Sequence, residues 1–249
     1  MEESAYIGGS VVGVAYLVAG VRLLQLSART RETPEQLLAA TLLLWGLAYV
    51  CWQTPLVLED ESLFSRLYVG GRILTDAGTI TFALFLRLVF RGQSHIALWL
   101  VAMIASGLTL GVAGSIWVGD PEAMYPLSNP WWWLEWLAVV VAMGWMGVEG
   151  LHHYGMSQQR RRLGLCDRLT CNRYLLWGVT GVLWVIYEFS HVAQQAEFEA
   201  THAYSASLDA VVSILEIIPI GLIWLVFFPP TVYKRWIDGA DSPIEAAKR

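Results

Sequence analysis

The sequence predicts an all-α protein, a bundle of seven helices that crosses a membrane seven times. Hydrophobic residues make up 56% of the chain and charged residues only 15%, whereas charged residues are about a quarter of an average soluble domain. The apolar residues also group into seven stretches, each close to the ~20 residues that a spanning helix needs. These stretches fill most of the 249 residues, so no room is left for a sizeable soluble domain.

Each stretch is predicted to be a helix, because the strands of a membrane barrel are shorter and alternate in polarity. The predicted helices cover, in chain order, residues 6–26, 36–57, 67–90, 94–118, 129–153, 172–194 and 204–228. They form one domain, 1–237, followed by a short tail, 238–249. The first stretch is predicted to be retained, because the acidic start MEESAY lacks the basic region of a cleaved signal peptide.

The charges at the helix ends alternate along the chain. Basic residues follow the first, third, fifth and seventh helices: Arg29 and Arg31, Arg91, Arg160 to Arg162 with Arg168, and Lys234 with Arg235. Acidic residues precede the first helix and follow the second, fourth and sixth: Glu2 and Glu3, residues 59–61, Asp120 and Glu122, and Glu197 and Glu199. Because cytoplasmic loops collect Lys and Arg, we expect the N-terminus outside and the C-terminus in the cytoplasm, in a bacterial inner membrane.

Six acidic residues fall inside the predicted spans: Asp76, Glu135, Glu149, Glu188, Asp209 and Glu216. An ionisable group at membrane depth is costly, so it normally faces the bundle interior and marks a functional site. Glu149 lies near the cytoplasmic end, where we expect solvent to reach it. On the last helix, His202, Asp209 and Glu216 recur every seven residues and so share one face. The sequence thus predicts a polar, aromatic-walled cavity in the outer half of the bundle.

Eleven residues are predicted to form this cavity: Trp52, Gln53, Arg72, Asp76, Glu135, Trp184, Glu188, His191, Asp209, Ser213 and Glu216. The surplus of acids beside aromatic rings favours a small cationic ligand, held by ion pairing and cation–π contact. Arg72 would supply a balancing positive charge. The alternative is that Arg72 pairs with Asp76, and Glu188 with His191, only to hold helices together.

Seven helices with the N-terminus outside resemble the microbial rhodopsins and the G-protein-coupled receptors. Arg72, Asp76 and Asp209 are similar to the arginine and counter-ion pair of a rhodopsin. The position where rhodopsins carry the retinal lysine is Ser213, however, and the only lysines are Lys234 and Lys248, near the C-terminus. The resemblance therefore implies architecture alone: no retinal Schiff base can form within the bundle, and no cofactor is expected.

Three further segments carry resemblances. The stretches RRRLGLCDRLTCNRYLLWG (160–178) and FFPPTVYKRWI (227–237) resemble segments of uncharacterised bacterial seven-helix membrane proteins. The stretch LFSRLYVGGRILTDAG (63–78) is similar to the seven-helix input modules of bacterial sensor kinases. The resemblance to sensor-kinase input modules implies that the protein is a sensor. Because the chain carries no effector domain, we expect output through a separate cytoplasmic partner at the basic loop 157–171, where Cys166 and Cys171 are expected to be free thiols.

Three classes of function stay open. A receptor or sensor that binds a small ligand is the leading hypothesis. The alternative is a small-solute or proton-coupled transporter that uses Asp76 and Glu216 as relay groups. The third is a membrane enzyme with a metal or redox cofactor held by Glu188, His191 and His202. An enzyme is the less favoured reading, because the last helix lacks the paired histidines of intramembrane zinc hydrolases. No nucleic-acid partner is expected.

Overall fold

The computed structural model describes residues 2–58, 61–118, 127–201 and 205–239, and these residues are almost entirely helical. The helices are α1 Glu2–Thr30, α2 Thr33–Leu58, α3 Glu61–Arg91, α4 His95–Val118, α5 Pro130–Arg162, α6 Arg168–Thr201, α7 Ala206–Phe227 and α8 Thr231–Gly239. Within the described residues, seven helices, α1 to α7, are long and apolar enough to cross a membrane. The predicted seven-helix membrane fold is confirmed.

The seven long helices pack as a closed ring in chain order. Each helix contacts the next, α7 returns to α1, and α3 also reaches α5. Large apolar side chains cover the outside of this ring, among them Val14, Trp99 and Val148, which are 60%, 75% and 69% exposed. Exposed apolar surface of this extent fits lipid rather than water. The protein is therefore a multi-pass membrane protein.

One end of the bundle carries Arg160, Arg161 and Arg162 and is called here the arginine-rich end; the other carries Trp131, Trp132 and Trp133 and is called the tryptophan-rich end. At the arginine-rich end the predicted loop 157–171 is wrong in extent. Helix α5 continues to Arg162 and α6 already begins at Arg168, so only residues 163–167 connect them. These helix ends project beyond the apolar stretches from which the bounds were predicted.

Specific caps set both ends of this connection. Gly164 adopts φ 72°, and the backbone N–H groups of Gly164 and Leu165 donate to the carbonyls of Arg161 and Arg160, both at 2.9 Å. This pattern is a Schellman motif, in which glycine accepts the left-handed conformation without steric cost. On the other side, the Asp167 carboxylate accepts the backbone N–H of Thr170 at 2.7 Å and caps α6.

The short helix α8 was not predicted. It follows Pro229 and Pro230 and packs against α6. Arg168 donates from Nη1 to the carbonyl of Ile237 at 3.1 Å, and the Asn172 amide donates to the Tyr233 hydroxyl at 2.5 Å. Residues 240–249, most of the predicted tail, lie outside the described residues.

An aromatic layer fills the bundle core towards the arginine-rich end. We define it as Trp45, Phe82, Phe85, Trp177, Trp184 and Phe227. The rings of Trp45, Phe82 and Trp184 meet pairwise with centroids 5.4–5.7 Å apart. Phe85 stacks on Phe82 and contacts Trp177, which in turn contacts Phe227. Phe82 and Phe85 are fully buried.

Candidate functional site

A cavity of about 80 Å³ lies on the side of the aromatic layer that faces the tryptophan-rich end. Six helices, α1 to α3 and α5 to α7, supply its walls, and the lining residues are Tyr16, Trp45, Tyr49, Trp52, Thr75, Thr79, Val139, Met143, Trp184, Tyr187, Glu188 and Glu216. Three tryptophans and three tyrosines therefore surround two carboxyl groups. A water molecule occupies roughly 30 Å³ in the liquid, so the cavity suits a few waters or one small ion.

Glu216 is the polar centre of this cavity. It is buried on α7, and its Oε1 accepts a hydrogen bond from the Tyr49 hydroxyl on α2. Tyr16 on α1 and Tyr187 on α6 line the same cavity as this carboxyl group. Residues of four helices, α1, α2, α6 and α7, therefore surround this part of the cavity.

The second carboxyl group, Glu188, lines the same cavity one turn along α6 from Trp184. The main chain of Glu188 is held in place because its carbonyl accepts the indole N–H of Trp136 on α5 at 3.3 Å. Across the cavity, the indole of Trp45 donates to the carbonyl of Thr75 at 3.2 Å, and that of Trp52 to the carbonyl of Tyr68 at 3.4 Å. These bonds fix the orientation of the aromatic walls.

Arg72 does not belong to this cavity. Its Nε donates to Glu135 Oε1 at 3.2 Å, its Nη2 forms an ion pair with the other carboxylate oxygen, and Nη2 also reaches Ser115 Oγ at 3.5 Å. Arg72 is 4% exposed, so this bidentate pair is buried between α3, α4 and α5. The alternative pairing of Arg72 with Asp76 is not the one observed.

Asp76 lies one turn further along α3 and is also buried. Its Oδ1, like Nη1 of Arg72, is enclosed by protein and has no hydrogen-bond partner among the described residues. Neither residue lines the cavity that contains Glu216. Asp76 and Arg72 therefore form a second polar centre, in which a positive charge lies near two acids.

The other predicted site residues are dispersed. Gln53 faces the groove between α1 and α2, and His191 stacks on Tyr187 with ring centroids 6.2 Å apart. Ser213 is half-buried on α7. Asp209 lies on the same helix, but its side chain and the whole of His202 are outside the described residues. Of the eleven predicted residues, Trp52, Trp184, Glu188 and Glu216 line the cavity together.

A separate polar cluster lies at the arginine-rich end. Glu149, which was expected to be solvated, is 6% exposed. Its Oε1 accepts from Arg91 Nε at 2.7 Å and from the Trp145 indole at 3.4 Å, and His153 Nε2 lies 3.7 Å from Oε2. Burial is tolerated here because Arg91 extends from α3 to meet the acid. This cluster is on the far side of the aromatic layer from Glu216.

Sequence reasoning missed the tyrosines around Glu216. Tyr16 and Tyr187 carry no charge and look like ordinary members of apolar helices, so only their position in the folded ring reveals their role. One signal was present, because a buried tyrosine hydroxyl needs a hydrogen-bond partner. Three tyrosines inside predicted spans were therefore candidates to contact the acids.

Among the described residues, no three His, Cys, Asp or Glu side chains lie together as a metal site would require. No family model matches the chain, and no curated protein or solved structure was found that matches it.

Proposed function

We propose that the protein is a receptor-like membrane protein that binds a small monovalent cation, such as ammonium or an alkali ion, beside Glu216 and Glu188. The observation that carries this proposal is the lining of the cavity. Its described residues include two carboxyl groups, three tyrosines and three tryptophans, and no Lys, Arg or His. Arg72, which was predicted to balance these acids, is bound to Glu135 instead. A cation is the ligand that compensates this charge.

The aromatic walls favour the same ligand. Tryptophan and tyrosine faces attract cations by about 0.5–2 kcal/mol, most strongly where water is excluded. The cavity volume of about 80 Å³ limits the size of the ion, because pockets for drug-sized molecules measure roughly 300–1,000 Å³. The proposal therefore specifies a small ion rather than an organic ligand.

The aromatic layer favours a receptor over a carrier. It separates the Glu216 cavity from the Glu149 cluster with the closely packed rings of Trp45, Phe82 and Trp184. The second candidate is a proton-coupled carrier, supported by the presence of buried acids on both sides of this layer. Cation flux into liposomes separates the two, and we expect none.

Replacing Glu216 by glutamine should weaken cation binding at least tenfold, or about 1.4 kcal/mol, because the amide keeps the shape and removes the charge. The measurement is calorimetric titration of the purified protein with ammonium, potassium and sodium chloride. Tyr49→Phe should weaken binding less, since it removes one hydroxyl donor to Glu216 and keeps the ring.

Glu32→Gln is the matched control, because Glu32 is exposed in the connection between α1 and α2. Tetramethylammonium is the control ligand, since it is too large for the cavity and should not bind. Equal affinities in wild type and Glu216→Gln would rule out the cavity as the site.

We further propose that the arginine-rich end faces the cytoplasm of a bacterial cell and contacts a separate signalling partner there. The bias of Arg and Lys towards this end supports the orientation. In a variant whose three cysteines are replaced, Leu165→Cys and Ser128→Cys mark the two ends with exposed positions. An impermeant maleimide should label Ser128→Cys in intact cells and Leu165→Cys only in inverted vesicles. The reverse pattern would refute the orientation.

A further inference from the structure

Two of the three cysteines lie side by side at the arginine-rich end. The Cys171 thiol donates to Cys166 Sγ, and the two sulfur atoms are 3.6 Å apart. Cys171 is buried in the first turn of α6, Cys166 is half-buried in the connection before it, and both are free thiols. The third cysteine, Cys51, is on α2, so it provides an internal reference.

The local fold holds this pair together. The Asp167 carboxylate accepts the backbone N–H of Thr170 at 2.7 Å and its hydroxyl at 2.8 Å. The hydrogen bond from the Thr170 backbone lowers the pKa of Asp167, so the cap is ionised at neutral pH. Because this cap ties the connection to the first turn of α6, Cys166 stays beside Cys171.

The two thiols differ in access. Cys166 lines an open cleft of about 580 Å³, whose wall also includes His153, Arg160 and Tyr174. Cys171 is 2% exposed and lies behind Cys166. A small oxidant in the cleft therefore meets Cys166 first, and Cys171 is placed to react with the product.

We propose that Cys166 and Cys171 are a reversible thiol–disulfide modification site whose oxidant is a hydroperoxide. The Cys166 thiolate attacks the peroxide, the O–O bond breaks, and Cys166 sulfenic acid and hydroxide form; the hydroxide takes up the thiol proton as water. The Cys171 sulfur then displaces the hydroxyl group, so an S–S bond forms, the S–O bond breaks and a second water leaves. The two sulfurs together lose two electrons, which reduce one hydrogen peroxide to two waters.

This site is separate from the cation cavity, and only its cellular setting rests on the orientation proposed above. On that orientation the pair faces a reducing compartment, where disulfides are usually transient and redox-sensing. The disulfide would tie the 163–167 connection covalently to α6 and fix one wall of the cleft, at the end where the partner is expected.

The test uses the whole protein in detergent, reduced, freed of reductant and treated with hydrogen peroxide. Burial raises the pKa of the Cys166 thiol, so the reaction is run at about pH 8.5, where an ordinary thiol is half ionised. Remaining thiols are alkylated with N-ethylmaleimide and counted by intact-mass spectrometry. After peroxide treatment we expect one of the three cysteines to be alkylated. If the oxidised protein is reduced with dithiothreitol before alkylation, we expect all three to be alkylated.

Matched variants identify the bond and its cause. Cys51→Ser should still form the disulfide, whereas Cys166→Ser and Cys171→Ser should not. Asp167→Ala should slow its formation, because the cap no longer holds Cys166 in place. Three alkylated cysteines in the peroxide-treated wild type, a disulfide lost in Cys51→Ser, or cross-linked dimers in place of the internal bond would each overturn the proposal.

Discussion

Replacing Arg72 by methionine should destabilise the bundle by about 3–5 kcal/mol, because it leaves the carboxylate of Glu135 buried without its partner. The Arg72 and Glu135 side chains are 5% and 14% exposed, so water cannot take over the role of the guanidinium. The measurement is equilibrium unfolding in mixed detergent micelles. Glu135→Gln should also destabilise, since it removes the carboxylate that pairs with the buried arginine.

The double variant Arg72→Met with Glu135→Met tests whether the loss arises from the unpaired charge. Apolar replacement of both partners of a buried pair is often neutral or stabilising, so the double variant should regain the part of the stability that the unpaired Glu135 costs. Asp76, also buried beside Arg72, still loses the nearby positive charge, so the recovery should be incomplete. Arg91→Met is the matched control: Arg91 also pairs with a buried acid, Glu149, but its side chain is 49% exposed. Glu149 is itself only 8% exposed, but water that already reaches Arg91 can enter beside Glu149 when the guanidinium is removed. Arg91→Met should therefore cost clearly less than Arg72→Met. Equal losses would mean that burial of the pair is unimportant.

The fold was predictable because the bilayer imposes a simple requirement. A spanning helix needs about 20 apolar residues, and hydropathy alone locates seven of them. The helix ends were less predictable, because they depend on capping rather than on membrane depth. Helix α5 leaves the apolar region near His153 but continues until Gly164 ends it, and α6 begins where Asp167 caps it. Glycine and aspartate are recognisable cap residues, so the end of α5 and the start of α6 could have been predicted from the segment RRRLGLCD (160–167).

The candidate site was predictable only in part, because sequence spacing fixes the face of one helix but not its neighbours. Periodicity identified Glu216 as an inward-facing acid on α7. Its partner Tyr49, however, is 167 positions away along the chain. Arg72 illustrates the same limit: the sequence offered Asp76 one turn away, whereas the fold presents Glu135 from α5. Contacts between helices depend on how each helix is rotated, and no single-helix pattern contains that information.

The contact between α5 and α6 depends on glycines. The predictions from sequence concentrated on acidic residues and did not include these glycines. The segments Gly147-Val-Glu-Gly150 and Gly178-Val-Thr-Gly181 each place two glycines on one helix face. A Cβ atom on Gly181 would lie 2.3 Å from the backbone nitrogen of Gly147, and one on Gly150 would lie 2.4 Å from that of Gly178. The two backbones therefore touch, as in other membrane helix pairs with small residues at the interface.

Gly181→Ala and Gly150→Ala should each destabilise the protein by about 1–3 kcal/mol or more, because overpacked contacts force the structure to shift. The obstructing atoms belong to the backbone, so no side-chain rotation relieves the clash and the helices must separate. Equilibrium unfolding in mixed micelles measures the loss, and Gly181→Ala should also alter the environment of Trp184, one turn along the same helix.

Gly155→Ala is the matched control on α5, since a Cβ atom there meets nothing within 4 Å. Alanine is the better helix former by about 1 kcal/mol, so this variant should be neutral or slightly more stable. The opposite signs expected at Gly150 and Gly155, on one helix and with one substitution, separate the packing effect from helix propensity. If Gly150→Ala and Gly155→Ala unfolded alike, the two backbones could not be in contact at this crossing.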